Sequence, residues 1–224
     1  MASVGRVSRA LTPKGEATKA RIVAGAARLL RDRNVADTTL DDIRAETGTS
    51  KSQLFHYFPD GKDELLLAVA RHEADQVIDD QQPRLGDLST WAAWDEWRDI
   101  VVRRYRDLGD NCPLGSLFLQ VGRSGTGARS VVDGLLRRWE GYLADGMRAL
   151  QAGGRLDPAF DVPTAARALL TGLQGGVTIM LSTGSADHLE AAIDWSIARM
   201  RESALGGDAL SRGTSDRRTA GSPR

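Results

Sequence analysis

Apolar residues recur at three- and four-residue spacing along almost the whole chain, and this is the period of an amphipathic α-helix. In the first such segment, Ile22, Val23, Ala26 and Leu30 repeat at that spacing. No stretch alternates Val, Ile, Thr or Tyr with polar residues between turn signals, which a half-buried strand would require. The sequence therefore predicts an all-α protein.

Caps and breakers divide this pattern into about nine helices. Thr12-Pro13 is a plausible helix start, and the Thr39/Asp42 and Ser50/Gln53 pairs have the spacing of capping boxes. Gly48 and Gln82-Pro83 end helices. The first predicted helix starts at Thr12-Pro13 and carries its apolar stripe as far as Leu30. The other predicted helices are 39–48, 51–58, 62–80, 88–108, 114–122, 128–152, 162–183 and 187–203.

Composition excludes several classes of protein. The chain has 224 residues, of which 41% are hydrophobic and 27% charged, as in ordinary globular proteins. Its single cysteine, Cys112, cannot form an intrachain disulfide, and inert packing is favoured for it over a redox role. No secretory signal and no run that could span a bilayer is visible, so a cytoplasmic protein without a membrane partner is expected.

The second and third helices are joined by a tight turn that contains Gly48, which is a helix-turn-helix arrangement. Small polar residues at the start of the short third helix would let it approach bases in a groove about 12 Å wide. Leu54 and Phe58, four residues apart, would anchor it. A helical hairpin with a merely solvated polar face is the alternative.

The segments 38–43, 47–58 and 62–65 together resemble the N-terminal domain of TetR-family transcriptional repressors. Cap, turn, third helix and the start of the fourth helix appear in the family's order over about 19–69. The resemblance implies a helix-turn-helix DNA-binding domain at 16–61, a larger helical effector-binding and dimerisation domain at 62–205, and double-stranded operator DNA as a partner. The two ends, 1–15 and 206–224, are predicted to be a basic flexible tail and a disordered tail.

The resemblance also assigns roles to single residues. Thr39 and Lys62 would bind phosphates, and His56 and Tyr57 would touch the DNA backbone. The residues that would face base edges are Ser50, Lys51, Ser52 and Gln53. Lysine can contact guanine acceptors and glutamine can pair with adenine, but a Gln53 side chain folded back as a cap is not free to read a base.

Three positions depart from the family pattern. Phe55 stands where tyrosine is usual, and Ser52 replaces a frequent glycine. Arg44 stands where alanine is common, and a solvated charge is favoured over an extra phosphate contact. The turn 59–62 and the fragments 112–117 and 173–176 resemble a branch that includes drug-resistance repressors of the LmrA type.

The C-terminal part concentrates large aromatic residues, which favours an apolar cavity for a planar small-molecule effector, although plain core packing is equally compatible. The pocket would be lined by Trp97, Tyr105, Phe118, Trp139 and Met147. No cofactor and no metal site is expected, since the three histidines are scattered.

The last two predicted helices are candidates for a homodimer interface. Segment 165–181 is apolar nearly all round and contains three glycines, so it needs cover on more than one side. Paired helices doubled across a two-fold axis would form a four-helix interface, and core helices of a monomer are the alternative. The predicted interface residues are Leu169, Gly172, Leu173, Gly176, Met180, Ile193, Ile197 and Met200.

Two other functions compete with a DNA-binding regulator. An enzyme is disfavoured because no nucleophile, metal-ligand or phosphate-loop spacing appears. A helical ligand-binding or scaffold protein that no longer binds DNA is the stronger rival. The departures at Phe55 and Ser52 keep this rival open. The zero net charge by itself argues against a nucleic-acid partner, but residues 1–33 carry eight basic side chains against two acidic ones, so the neutrality sums a basic N-terminal part and a mildly acidic remainder.

Overall fold

A computed structural model describes residues 11–33, 35–109 and 126–215. Within those ranges the chain forms eight α-helices and one 3₁₀ turn, Arg84–Gly86, and no strand, so the all-α prediction is confirmed. The helices are α1 (Pro13–Asp32), α2 (Leu40–Thr47), α3 (Lys51–Tyr57), α4 (Lys62–Asp79), α5 (Trp91–Leu108), α6 (Thr126–Ala152), α7 (Val162–Thr183) and α8 (Asp187–Ser215). The helix predicted at 114–122 lies outside the described residues.

Side-chain caps fix the starts of several helices. Thr12 Oγ1 accepts a 3.2 Å hydrogen bond from Gly15 N, and Pro13 occupies the first turn, where its missing N–H costs nothing. The predicted flexible tail, 1–15, is therefore too long by three residues, since 13–15 are helical. Thr90 likewise caps α5 through Ala93 N at 3.2 Å, so this helix begins at Trp91 rather than at 88.

The last helix is longer than predicted. It continues from 203 to Ser215, so the prediction of a disordered tail is wrong for 206–215. The consecutive glycines Gly206 and Gly207 weaken a helix but do not end one, because each added residue still gains a backbone hydrogen bond. The first proline after α8 starts is Pro223.

One apolar cluster runs from the head, α1–α3, into the larger helical body. It includes Ile22 and Leu54 in the head and Trp97, Trp139 and Leu173 in the body, all without exposed surface. Backbones approach closely where small residues allow it. A Cβ on Gly176 would lie only 2.4 Å from Leu189 Cα, so α7 and α8 can pack as observed only with glycine at 176.

Helix α4 is shared between head and body. Its Glu73 accepts a 2.7 Å hydrogen bond from Arg31 Nη1 on α1, and two residues later Asp75 pairs with Arg138 on α6 at 3.0 Å. Its end is held by Arg104 of α5, which pairs with Asp80 at 2.5 Å. A displacement of the body helices would therefore act directly on the helix that carries the head. Among the described helices none has the length and apolar character needed to cross a membrane.

Candidate DNA-binding surface

The turn between α2 and α3 is fixed from both sides. Gly48 adopts a left-handed conformation, with φ 57°, which favours glycine because a side chain would be strained there. Thr49, which is buried, donates its backbone N–H to Arg44 O at 3.0 Å. On the other side, a Cβ on Gly25 would meet Thr47 Cγ2 at 2.4 Å, so α1 lies directly against the end of α2.

Both predicted capping boxes are present. Thr39 caps α2 through Asp42, and Ser50 caps α3 through Gln53, and in each pair both backbone N–H groups donate to the other residue's side chain. Leu54 and Phe58 have no exposed surface, as expected for the anchor of α3, and Lys19 Nζ lies 5.6 Å from the centre of the Phe58 ring. The short third helix is thus held in the head by its N-terminal cap and by two buried side chains.

The exposed side of α3 brings together most residues predicted to face DNA. The exposed side chains are Lys51, Ser52, Gln53 and His56, and the Ser50 cap is exposed with them. Tyr57 is half-buried and packs edge-on against His56, with ring centres 4.9 Å apart. These residues form one polar face, which we call the α3 face (Ser50, Lys51, Ser52, Gln53 and His56). Phe55 adds apolar surface beside it and is 40% exposed.

Thr39, predicted to bind a phosphate, uses its hydroxyl within the cap. Its Oγ1 donates to Asp42 Oδ2 at 2.6 Å and accepts from Asp42 N at 3.1 Å. These bonds, with a further one from the Thr39 backbone N–H, lower the pKa of the Asp42 carboxyl, so the group beside Thr39 is an anion. A phosphate would have to compete with that carboxylate for the single hydroxyl proton.

Lys62, predicted to bind a phosphate, is attached to the head. Its Nζ donates a 2.7 Å hydrogen bond to Val35 O, which joins the start of α4 to the segment after α1. One of its three N–H donors is therefore used, which leaves two for a phosphate. Arg44, expected to be a solvated charge, is half-buried and pairs with Asp41 at 2.5 Å.

The residues predicted to line an effector pocket lie mostly in the core. Trp97 Nε1 donates to Gln81 Oε1 at 2.9 Å, and both residues are buried. Tyr105 and Trp139 are also buried, and the indole N–H of Trp139 has no acceptor among the described residues. Phe118 lies outside the described residues.

A groove of about 410 Å³ opens elsewhere on the body, and of the described predicted pocket residues it includes only Met147. It lies between the end of α6, the start of α7 and the middle of α8. Its wall includes Phe160, Trp195 and Arg199, which the sequence analysis did not select. The sequence could have indicated that Trp195 is exposed, because this residue does not lie on the apolar stripe that contains Ile193 and Ile197.

The predicted dimer residues lie inside the protomer, not on its surface. Gly172 is half-buried against Ala192, whose Cβ would be 3.1 Å from an added Cβ. The other seven are buried and form the seam between α7 and α8 of the same chain: Leu169, Leu173, Gly176, Met180, Ile193, Ile197 and Met200. Side chains already buried in one protomer have little surface left to bury against another.

The outer face of these two helices is the part that a second copy could reach. On α7 the exposed residues are uncharged except Arg167, which pairs with Glu140 of α6 at 3.1 Å, and on α8 Trp195 is 67% exposed. We call this surface the α7/α8 face, and it comprises Thr164, Ala168, Thr171, Gly175, Thr178, Ile179 and Ser182 with Ala191, Trp195 and Ala198.

Comparison with known proteins identifies the head. Residues 22–69, which contain α2, α3 and the turn between them, match the family model for bacterial regulatory proteins of the tetR family. The HTH-type transcriptional regulator EthR from Mycobacterium tuberculosis is 28% identical over 178 residues, covering 73% of this chain and 77% of that protein. An uncharacterised HTH-type regulator from Lactococcus lactis is 24% identical, covering 79% and 90%.

Solved structures share the fold of the described chain. A TetR transcriptional regulator from Chloroflexus aurantiacus superposes with a TM-score of 0.69 at 23% identity, covering 84% of this chain and 96% of that one. A TetR regulator from Haloarcula marismortui gives 0.71 at 20% identity, covering 84% and 98%. These comparisons support the resemblance to the family, while the LmrA-like branch stays a prediction.

Proposed function

The chain belongs to the TetR family of transcriptional regulators, and we propose that it is a repressor that binds a palindromic operator as a homodimer and releases it when a small apolar or aromatic effector binds. The observation that carries the DNA-binding part is the α3 face. Donor side chains stand exposed on a short helix whose opposite side is buried through Leu54 and Phe58. Such a helix is shaped to enter a major groove.

The distribution of charged side chains also supports the proposal that the head binds DNA. Lys51 lies on the α3 face and makes no ion pair with a described residue, so its charge is available to DNA. The exposed basic residues Lys14 and Arg21 lie on α1 of the same head. Since phosphate neutralisation supplies much of the affinity of such proteins, the excess of six basic side chains in residues 1–33, against an excess of six acidic ones in the rest of the chain, favours DNA contact through the N-terminal end.

A homodimer follows from the α7/α8 face. Two recognition helices about 34 Å apart can read successive major-groove faces of a palindrome, which one protomer cannot do. Arg167 apart, the exposed residues of α7 are uncharged, and together with the exposed ring of Trp195 they suit a partner surface that excludes water. We therefore place the interface on this outer face and retain α7 and α8 as the interface helices.

Effector release would act through α4. This helix holds α1 through Glu73 and α6 through Asp75, so an effector that shifts α6 changes the position of the head. Release requires that the effector binds the DNA-free arrangement more tightly than the DNA-bound one. The predicted cavity residues Trp97, Tyr105, Phe118, Trp139 and Met147 remain the candidates for its site, and the indole N–H of Trp139 would favour an effector with a hydrogen-bond acceptor.

The test is selection of bound duplexes from a random pool by the purified protein, followed by a thermal-shift screen of small molecules and release assays with those that bind. We expect enrichment of a palindrome and at least one compound that both raises the melting temperature and weakens DNA binding. A folded dimer that enriches no sequence would favour the rival function, a helical ligand-binding or scaffold protein. A bound compound that leaves DNA affinity unchanged would overturn allosteric release alone.

A further inference from the structure

Phe55 is the one large hydrophobic side chain that the described part of the head exposes. It is 40% exposed, and the two other exposed large hydrophobic residues of the described chain, Ile179 and Trp195, lie on the α7/α8 face. Its ring lies beside the turn that precedes α4, since its Cε1 would be 3.8 Å from a Cβ added at Gly61. The exposed part of the ring is open to a molecule that binds the head.

The helical period places Phe55 next to the α3 face. Phe55 follows Lys51 by four residues, and side chains four residues apart are neighbours on the surface of a helix. The adjacent row of the same helix, Ser52 and His56, is exposed as well. A DNA duplex that contacts Lys51 on the α3 face therefore comes within reach of the Phe55 ring.

A phenyl ring can take only an apolar partner from the major groove. It has no donor for a phosphate oxygen and no hydrogen-bonding atom for the polar edge of a base. Of the four bases, only thymine presents an apolar substituent in that groove, its C5 methyl group. We propose that Phe55 is a specificity-determining residue that contacts the methyl group of a thymine in each half-site. The proposal rests on the DNA-binding function proposed above.

Changes in the DNA test the methyl contact directly. Deoxyuridine in place of that thymine removes the methyl group and keeps every hydrogen-bonding atom of the base. The loss of one buried methyl group should weaken wild-type binding about fourfold per half-site. In a duplex that carries cytosine at the same position, 5-methylcytosine should strengthen wild-type binding by a similar factor, which separates a methyl contact from readout of the O4 acceptor of thymine.

The experiment is selection of random duplexes by the full-length wild type and by Phe55→Ala, followed by fluorescence anisotropy with the modified duplexes. We expect a thymine in each half-site that the wild type selects and Phe55→Ala does not. Phe55→Ala should bind the thymine and deoxyuridine duplexes equally, whereas Phe55→Leu, which keeps an apolar side chain, should retain part of the difference. Phe160→Ala removes the same ring from the body and should distinguish the two duplexes as the wild type does. Melting temperatures and light scattering would establish that each variant is a folded dimer.

Three outcomes would overturn the proposal. Phe55 does not read the methyl group if the wild type binds the thymine and deoxyuridine duplexes equally, or if Phe55→Ala distinguishes them as well as the wild type does. A loss of affinity in Phe55→Ala that is equal for all sequences would place the ring against the sugar-phosphate backbone. In these cases sequence-specific binding would stand, whereas a folded dimer that enriches no sequence would overturn both this inference and the function on which it rests.

Discussion

Arg31 Nη1 on α1 donates a 2.7 Å hydrogen bond to Oε1 of Glu73, a side chain on α4 with no exposed surface. Removing one member of a buried pair leaves the other without its partner, which is far more costly than losing an exposed pair. We expect Glu73→Ala to lower the free energy of unfolding by about 2–3 kcal/mol, measured by urea denaturation at fixed protein concentration.

Glu46→Ala is the matched control for Glu73→Ala. Glu46, on α2, pairs with Arg28 on α1 at 2.9 Å, but the two side chains are 37% and 57% exposed. Such surface pairs contribute below about 1 kcal/mol. Equal losses in the two variants would contradict the importance assigned to the buried contact.

The same carboxyl predicts a pH dependence. Burial raises the pKa of Glu73, the charge and hydrogen bond of Arg31 oppose this, and the nearby carboxylate of Asp80 adds to it. The folded state therefore holds the proton more tightly than the unfolded state, so the contribution of Glu73 to stability is present at low pH and falls as the pH rises.

The comparison to make is wild type against Glu73→Gln, whose side chain does not titrate. The difference in unfolding free energy, wild type minus variant, should decrease as the pH rises from the ordinary carboxyl value of 4.5 through the raised pKa of Glu73. A difference that stays constant or increases over this interval would show that the pKa is not raised.

Substitutions of two lysines should affect stability and DNA binding differently. Lys62→Ala removes the 2.7 Å bond to Val35 O, so it should lower the melting temperature as well as DNA affinity. Lys51→Ala removes an exposed cation of the α3 face and should leave the melting temperature unchanged while weakening binding to the selected duplex about tenfold. Melting curves and fluorescence anisotropy measure the two effects, and a stability loss in Lys51→Ala would contradict this division.

The α7/α8 face predicts where dimerisation can be broken. A Cβ added at Gly175 would meet no neighbouring helix or loop within 4 Å, so Gly175→Arg fits the protomer. Arginine also favours the helix over glycine and places a charge on the face. We expect Gly175→Arg and Trp195→Asp to be monomeric by light scattering, with wild-type helix content. Ala92→Asp, exposed on α5, should remain dimeric. A dimer that persists in both face variants would place the interface elsewhere.

Short-range patterns in the sequence predicted the helices of the head, because each pattern involves only a few neighbouring residues. Thr39 and Ser50 cap helices through residues three positions later, and Leu54 and Phe58 bury one side of α3. Each of these features is decided within one or two turns of helix, so spacing alone predicts it. The conflict between capping and reading at Gln53 was also visible in the sequence, but only the geometry shows which amide atom is used.

Contacts between helices could not be predicted from these short-range patterns. The 3.6-residue period shows that Leu173 and Ile193 are inward, but a buried stripe does not reveal whether it faces a neighbouring helix or a second copy. Here it faces the neighbouring helix of the same chain. The contact between Arg31 and Glu73 joins residues 42 positions apart, and no spacing rule predicts it.

Salt titration of DNA binding tests the central claim, that the α3 face binds a specific palindrome. Fluorescence anisotropy would compare the selected palindrome with a scrambled duplex for the wild-type dimer between about 50 and 200 mM salt. We predict preferential binding of the palindrome at low salt and an affinity that falls by about 10³ or more over this range, as expected for several phosphate contacts. Equal affinity for the two duplexes, or no binding at about 50 mM salt by a folded dimer, would contradict the account.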